Sequence, residues 1–190
     1  MTKIIGISGI SGSGKSFLAK KLGKTLNATT IFWDDFDDIS EGPADYIKWY
    51  ESDRNYNAWK YDALADVLHK LKMHEKVICP ATKKKLTPTD YIVFDAPLGR
   101  KHNATGQYID FSIYLNTPLD IALVRRLLRD YKDKDNLAII EELTFYLTTS
   151  RPLYVMDYDR KEECDLIIDG SFPLDKQIQM ILSAFDKKKC

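Results

Sequence analysis

The chain predicts an α/β fold in three layers, a parallel β-sheet held between two layers of helices. Three observations carry that prediction. An apolar run, Ile4-Ile5-Gly6-Ile7, leads into Gly9-Ile10-Ser11-Gly12-Ser13-Gly14-Lys15-Ser16, and a helical pattern follows at once. Strand-like runs then alternate with helix-period runs to the end, the pattern of right-handed crossovers. No internal repeat or Pro/Gly/Ser-rich linker interrupts them, so residues 1–190 read as one domain.

The first strand begins at Lys3. Leu18, Leu22 and Leu26 recur at four-residue spacing with Ala19 on the same face, which marks an amphipathic helix from Lys15 to Leu26. Thr29 to Trp33 is β-branched and aromatic, a second strand ended by Asp34-Asp35. Residues 36–56 are acidic and aromatic, with one short helix expected around 44–51. Leu64, Val67, Leu68 and Leu71 fall at i, i+3, i+4 and i+7 and predict a helix from about 58 to 73. Lys83-Lys84-Lys85, between Pro80 and Pro88, reads as an exposed loop. Tyr91 to Asp95 and Phe111 to Leu115 are buried-type strands. Thr117-Pro118 opens a helix to about 131, with Thr as its cap and Pro as its first residue. A helix over 136–149, a short strand Leu166-Ile167-Ile168 and a helix over 174–187 complete the chain. The tail Lys187-Lys188-Lys189-Cys190 reads as a solvated end or a last helical turn.

Lys+Arg and Asp+Glu both number 28, so no global charge draws the chain to nucleic acid or to an anionic membrane. No signal peptide is expected, because strand-like residues and a Gly-rich turn begin at Lys3. No apolar run approaches the roughly 20 residues of a membrane span. Cys79, Cys164 and Cys190 are odd in number and scattered, which points to a reducing cytoplasm. His69, His74 and His102 are not grouped with cysteines, so no structural zinc site is expected.

Residues 9–16 form a complete G-x-x-x-x-G-K-S phosphate loop, delivered by a strand and followed by a helix whose N-terminal amides face the phosphates. Gly9, Gly12, Ser13 and Gly14 would cradle a polyphosphate, Lys15 would reach its β- and γ-phosphates, and the Ser16 hydroxyl would take one position on Mg²⁺. ATP and GTP are not told apart by this loop. Asp34 and Asp35 end the second strand at the carboxyl edge of the sheet, where ligands of open parallel sheets bind. Asp34 could accept a proton from an attacking hydroxyl or order Mg²⁺ through water; Asp35 would face the acceptor. Asp95 ends a strand that reads as a Walker B strand and would hold Mg²⁺. Ala96 follows it, where ATP-hydrolysing motors carry a water-activating Glu.

Arg125, Arg126 and Arg129 lie at roughly 0°, 100° and 40° around one helix, one sector of its surface. Clustered guanidiniums suit the spread charge of a transferring phosphoryl group, with Arg125 and Arg129 on that group and Arg126 on the nucleotide. Tyr46 and Asp62 belong to an aromatic and polar stretch that could hold a base or sugar. Arg100 and His102 follow the Asp95 strand and are further candidates for the acceptor site.

These residues resemble the uridine kinase family and its relatives, nicotinamide riboside kinase, phosphoribulokinase and pantothenate kinase. The likeness rests on the phosphate loop, W-D-D-F at 33–36, R-R-L-L-R-D at 125–130, R-P-L-Y at 151–154 and C-D-L-I-I at 164–168. It implies a P-loop NTPase fold with a five-stranded parallel core and a helical lid at about 125–150. It implies ATP, Mg²⁺ and phosphorylation of a hydroxyl on a small molecule, with Asp34 near that hydroxyl and the three arginines on the basic lid helix. Two stretches depart from the family pattern. Tyr56-Asn57-Ala58-Trp59-Lys60-Tyr61-Asp62 stands where uridine kinases carry D-H-P-D-A-F-D, and Asp95-Ala96 where they carry E-G; both fall where the acceptor would sit. Two other readings stay open: a nucleotide-dependent switch without transfer activity, weakened by the lack of an N-K-x-D string, and a nucleic-acid-processing kinase or ATPase. A homo-oligomer is also left open.

Overall fold

A computed structural model describes residues 2–187; Lys188, Lys189 and Cys190 of the tail lie outside the described residues. Five strands, β1 (Lys3–Ser8), β2 (Thr29–Phe32), β5 (Tyr91–Asp95), β6 (Phe111–Asn116) and β7 (Leu166–Asp169), form one sheet in the order β2-β5-β1-β6-β7. Every pairing in it is parallel. A hairpin of β3 (Val77–Ile78) and β4 (Lys85–Leu86) stands apart.

The strands are apolar on both faces because helices cover both. Ile4, Ile92 and Phe94 pack on Leu64, Val67, Leu68 and Leu71 of α3 (Asp62–Lys72). Ile5, Ile7, Val93, Ile113 and Leu115 face the other way, onto Leu18, Ala19 and Leu22 of α1 (Lys15–Thr25) and Ile178 and Ile181 of α8 (Leu174–Lys187). Strand β1 lies between β5 and β6, so crossovers leave it on both sides and open a crevice at its carboxyl end. Residues 9–14 fill that crevice.

Between β2 and β5 the chain runs through α2 (Tyr46–Glu51), capped by Asp45, whose carboxylate accepts from the amides of Ile47 and Lys48 at 2.9 and 3.1 Å. Past β5 come a short α4 (Asn103–Gly106), then α5 (Leu119–Asp130), α6 (Asn136–Phe145) and α7 (Arg151–Met156). A wide turn, Tyr146–Ser150, joins α6 to α7, and a tight helical segment, Asp157–Glu163, returns the chain to β7.

Four expectations need correction. Helix α3 starts at Asp62 rather than 58, because Tyr56–Ala58 forms a separate tight turn capped by Asn55. Lys83-Lys84-Lys85 is not simply a loop: Lys85 pairs with Ile78 in the hairpin, and Lys83 makes the turn at φ 60°. Asp34 and Asp35 do not end a strand but begin a helical turn, Asp34–Ile39, anchored by buried Phe36. Thr117 does not cap α5, which starts at Leu119 with Pro118 at its N-cap position. The Thr117 hydroxyl instead donates to the Ser13 carbonyl at 2.9 Å.

That bond puts Thr117 against Gly170, where an added Cβ would lie 1.8 Å from the Thr117 hydroxyl oxygen. Gly170→Ala is therefore expected to lose about 1–3 kcal/mol of unfolding free energy in urea titration. Combined with Thr117→Ala, which makes room for the methyl, the loss should be smaller than the sum of the two.

Candidate active site

Gly14 caps α1 at φ 99°, a left-handed conformation that turns the first helical amides toward the crevice. Gly12, at φ 81°, passes so close to α5 that a Cβ would lie 2.1 Å from the Ala122 carbonyl oxygen. The loop from Gly9 is thus clamped from behind. Ser13 is buried, its carbonyl accepts from Thr117 and from the Arg125 guanidinium at 3.3 Å, and its hydroxyl has no partner.

Ser16, in the first turn of α1, donates its hydroxyl to Asp95 Oδ2 at 2.5 Å. The other carboxylate oxygen, Oδ1, is buried without a hydrogen-bond partner. Burial raises the Asp95 pKa against the opposing pull of Lys15 and the Ser16 bond, and Asp34 raises it further. Asp34 lies near enough to act on Asp37 and Arg129 as well. A hydroxyl and an orphaned carboxylate oxygen, next to a lysine, are the donor set of a hard cation shared with phosphates. Among the described residues no group of three His, Cys, Asp or Glu side chains could hold a metal alone. The donors present therefore fit Mg²⁺ completed by phosphate and water oxygens.

The three arginines of α5 have separate partners. Arg125 bridges the carbonyls of Ser13 and Gly170 at 3.3 and 3.2 Å, behind the loop. Arg126 is not free to meet a nucleotide: it is buried, paired with Glu142 of α6 and set over the Tyr154 ring at 5.3 Å. Arg129 remains exposed and binds neighbouring Asp130 at 2.6 Å, which raises its own pKa and lowers that of Asp130. A helical wheel gave the shared sector; side-chain length and the partner helix sent the guanidiniums apart.

Two expected acceptor contacts lie elsewhere. Arg100 reaches the amino ends of β6 and β7, pairing with Asp165 at 2.8 Å and donating to the Glu163 carbonyl at 3.0 Å, the edge opposite the phosphate loop. His102 is fully buried. Its Nε2 meets the Trp59 carbonyl at 3.0 Å, which only accepts, so Nε2 carries the proton and Nδ1 accepts from Thr105 at 2.8 Å. Burial lowers its pKa and keeps it neutral. His102 is a strut under the aromatic cluster, edge-on to Trp33 at 5.1 Å, while Trp33 stacks on Tyr61 at 4.0 Å. Tyr46 is exposed and stacks on Trp59 at 6.1 Å; Asp35 and Asp62 are exposed.

Sequence reasoning missed Asp37, which accepts from the Tyr61 hydroxyl at 2.7 Å, and missed Asp157 and Arg160 entirely. The segment holding the last two has no periodicity to flag it.

A family model described as "AAA domain" matches residues 5–145. A uridine kinase of Borrelia duttonii (strain Ly) is 30% identical over 200 aligned positions, covering 98% of this chain and 95% of that protein. The chain belongs to the uridine kinase-like family of P-loop kinases. A structure described as a "possible uridine kinase" from Bacillus stearothermophilus matches this kinase with a TM-score of 0.55 at 19% identity, covering 88% and 89% of the two chains. Shikimate kinase from Aquifex aeolicus matches at 0.53 and 15%, covering 98% of each. At such identities the structural likeness speaks for the shared sheet and loop of these small-molecule kinases.

Neutral, buried His102 gives this kinase a testable pH dependence. The unfolded histidine gains a proton near pH 6.5 and the folded one resists it, so its contribution is present at neutral pH and lost as pH falls below that value. In chemical denaturation, the stability advantage of wild type over His102→Gln should shrink between about pH 7.5 and pH 5.

Proposed function

We infer that this chain is an ATP-dependent kinase that moves the γ-phosphoryl group to a hydroxyl of a small metabolite, a nucleoside or similar riboside. The observation that carries this reading is the contact of Ser16 with Asp95 at the mouth of the phosphate loop, with Lys15 acting on the same carboxylate. Ala96 after Asp95 favours transfer to a bound acceptor over activation of water. The loop amides and Lys15 would hold the polyphosphate, and Ser16 and Asp95 would hold Mg²⁺, with Asp34 reaching it through water. Mg²⁺, when bound with the nucleotide, supplies neutralisation of the phosphate charge.

Asp34 would orient the acceptor hydroxyl and take its proton. Arg129, the exposed guanidinium of α5, would meet the transferring group from above, and Arg125 would keep the loop in shape from behind. Residues 125–150 read as a lid. Helix α6 is tied to α5 through Glu142 and exposes Leu137 and Ile140, as expected of an arm that closes over a bound ligand. Closure would exclude water from the transfer. Tyr46 and Trp59 offer flat faces to a base or sugar. The relatives' name supports a riboside acceptor, whereas the aromatic stretch 56–61 leaves the base unassigned. The neutral charge argues against nucleic acid as substrate, and the scattered cysteines favour a cytoplasmic setting.

Lys15→Ala and Asp34→Asn should each abolish transfer, by about a thousandfold or more in single-turnover assays. Asp34→Asn should still bind magnesium-loaded ATP by calorimetry, and Lys15→Ala should bind it more weakly. Tight binding by the wild type without transfer to any riboside would favour a regulatory nucleotide-binding protein; no binding heat at millimolar ATP or GTP would reject the reading outright.

A further inference from the structure

The segment that returns from the helical arm to the sheet carries a charged pair beside the cleft. Asp157 and Arg160 meet at 2.6 Å, with the arginine side chain 4% exposed and the aspartate 23%. The Arg160 Nε is buried without a hydrogen-bond partner. A buried ion pair gains little net stability, so its presence at a cleft points to a use beyond folding.

The pair is firmly placed. The Tyr114 hydroxyl donates to the Asp157 carbonyl at 3.0 Å, and the Cys164 thiol donates to the Arg160 carbonyl at 3.2 Å. Tyr158 donates to the Thr117 carbonyl at 2.5 Å, and the Thr117 hydroxyl holds Ser13. Asp157 is therefore registered against the phosphate loop through its immediate neighbour.

Lys15 acts on the Asp157 carboxylate and offsets part of the burial that raises its pKa. Asp157 and Arg160, together with Asp159 and Glu163, also act on the Tyr56 phenol. The segment is thus tied to the phosphate loop through Tyr158 and Thr117, and to the aromatic stretch through Glu163, which lies 3.9 Å from Lys101, whose ammonium stands 5.6 Å over the Tyr56 ring and also acts on Asp157. Tyr56 opens the stretch that replaces D-H-P-D-A-F-D. Two of that pattern's three carboxylates are replaced here and Asp62 remains, while Asp157, Asp159 and Glu163 of residues 157–163 act on Tyr56.

We propose that Asp157 is a specificity-determining residue of the acceptor site, accepting a hydrogen bond from a second hydroxyl of a polyhydroxylated acceptor such as a ribose ring, and that Arg160 is the positioning residue that holds it. The inference rests on the kinase reading above. A carboxylate only accepts, so it selects a donor, and a hydroxyl adjacent to the reacting one is the donor a sugar provides. Its negative charge rejects acceptors that already bear a phosphate there. Arg160 offsets that charge enough for it to stand near a triphosphate. Tyr56, 6.2 Å from Trp59 and with the Lys101 ammonium 5.6 Å from its ring centroid, would border the ring carbons.

The test assays wild type, Asp157→Asn, Arg160→Lys and Arg160→Gln with magnesium-loaded ATP. The acceptors are uridine, cytidine, adenosine and guanosine with their 2′-deoxy and 3′-deoxy forms. For the preferred ribonucleoside, Asp157→Asn should raise the acceptor KM about tenfold or more and leave the KM for ATP within about twofold. The preference for that ribonucleoside over the deoxy form lacking the bound hydroxyl should fall by the same factor. Arg160→Lys, which keeps the charge, should raise the acceptor KM less than Arg160→Gln does. Should Asp157→Asn fail to fold, Asp157→Glu, which keeps the charge but displaces the carboxylate, should show the same selective rise in acceptor KM. An unchanged acceptor KM, or a loss confined to kcat and ATP affinity, overturns the proposal and leaves the kinase reading standing. Absence of transfer by the wild type to every nucleoside overturns both.

Discussion

The carbonyl oxygen of Ser13 is the point on which the site depends. A phosphate loop must aim its amides into open space, so no ligand-side contact can hold it in shape before a ligand arrives. The restraint comes from behind. Thr117 and Arg125 both donate to Ser13, Gly12 presses on the Ala122 carbonyl, and Arg125 continues to Gly170. Three chain segments far apart in sequence thereby share one small volume. Gly12 against Ala122 and Gly170 against Thr117 leave no space for an added methyl group, which explains the glycines at those two positions better than turn propensity alone.

In front of the loop, electrostatics takes over. Lys15 lies within reach of two carboxylates, Asp95 from β5 and Asp157 from the segment before β7. Both are raised by burial and both are opposed by the same ammonium. Such a cluster has unsatisfied demand for positive charge on one side and for negative charge on the other. On the kinase reading, magnesium and a triphosphate bound together would answer both demands.

The acceptor side obeys a different constraint. Its aromatic rings are supported by a neutral imidazole, His102, whose two nitrogens are fully used by Trp59 and Thr105. A charged histidine there would lose the nitrogen that accepts from Thr105 and would carry its charge into a buried position, with Asp62 the acidic group acting on it. Trp33 and Tyr61 are thus buried over His102, while Tyr46 stands exposed against Trp59.

The sequence by itself determined the sheet, the phosphate loop and the order of helices and strands, because these are written in local periodicity and in a short string with one backbone solution. It also determined that Ser16, Asp34 and Asp95 lie at one edge, since each follows or ends a strand whose direction topology dictates. Tertiary structure alone decided which side chains meet. Thr117 looked like a helix cap and became a brace for Ser13. Arg126 looked like a nucleotide contact and found Glu142, while His102 disappeared into the core. Asp157 and Arg160, in a stretch without period or motif, arrived beside Lys15 and Tyr56. Local pattern follows from bond geometry over a few residues, whereas the partner of a long polar side chain depends on where a distant segment packs, and no window of sequence contains that distance.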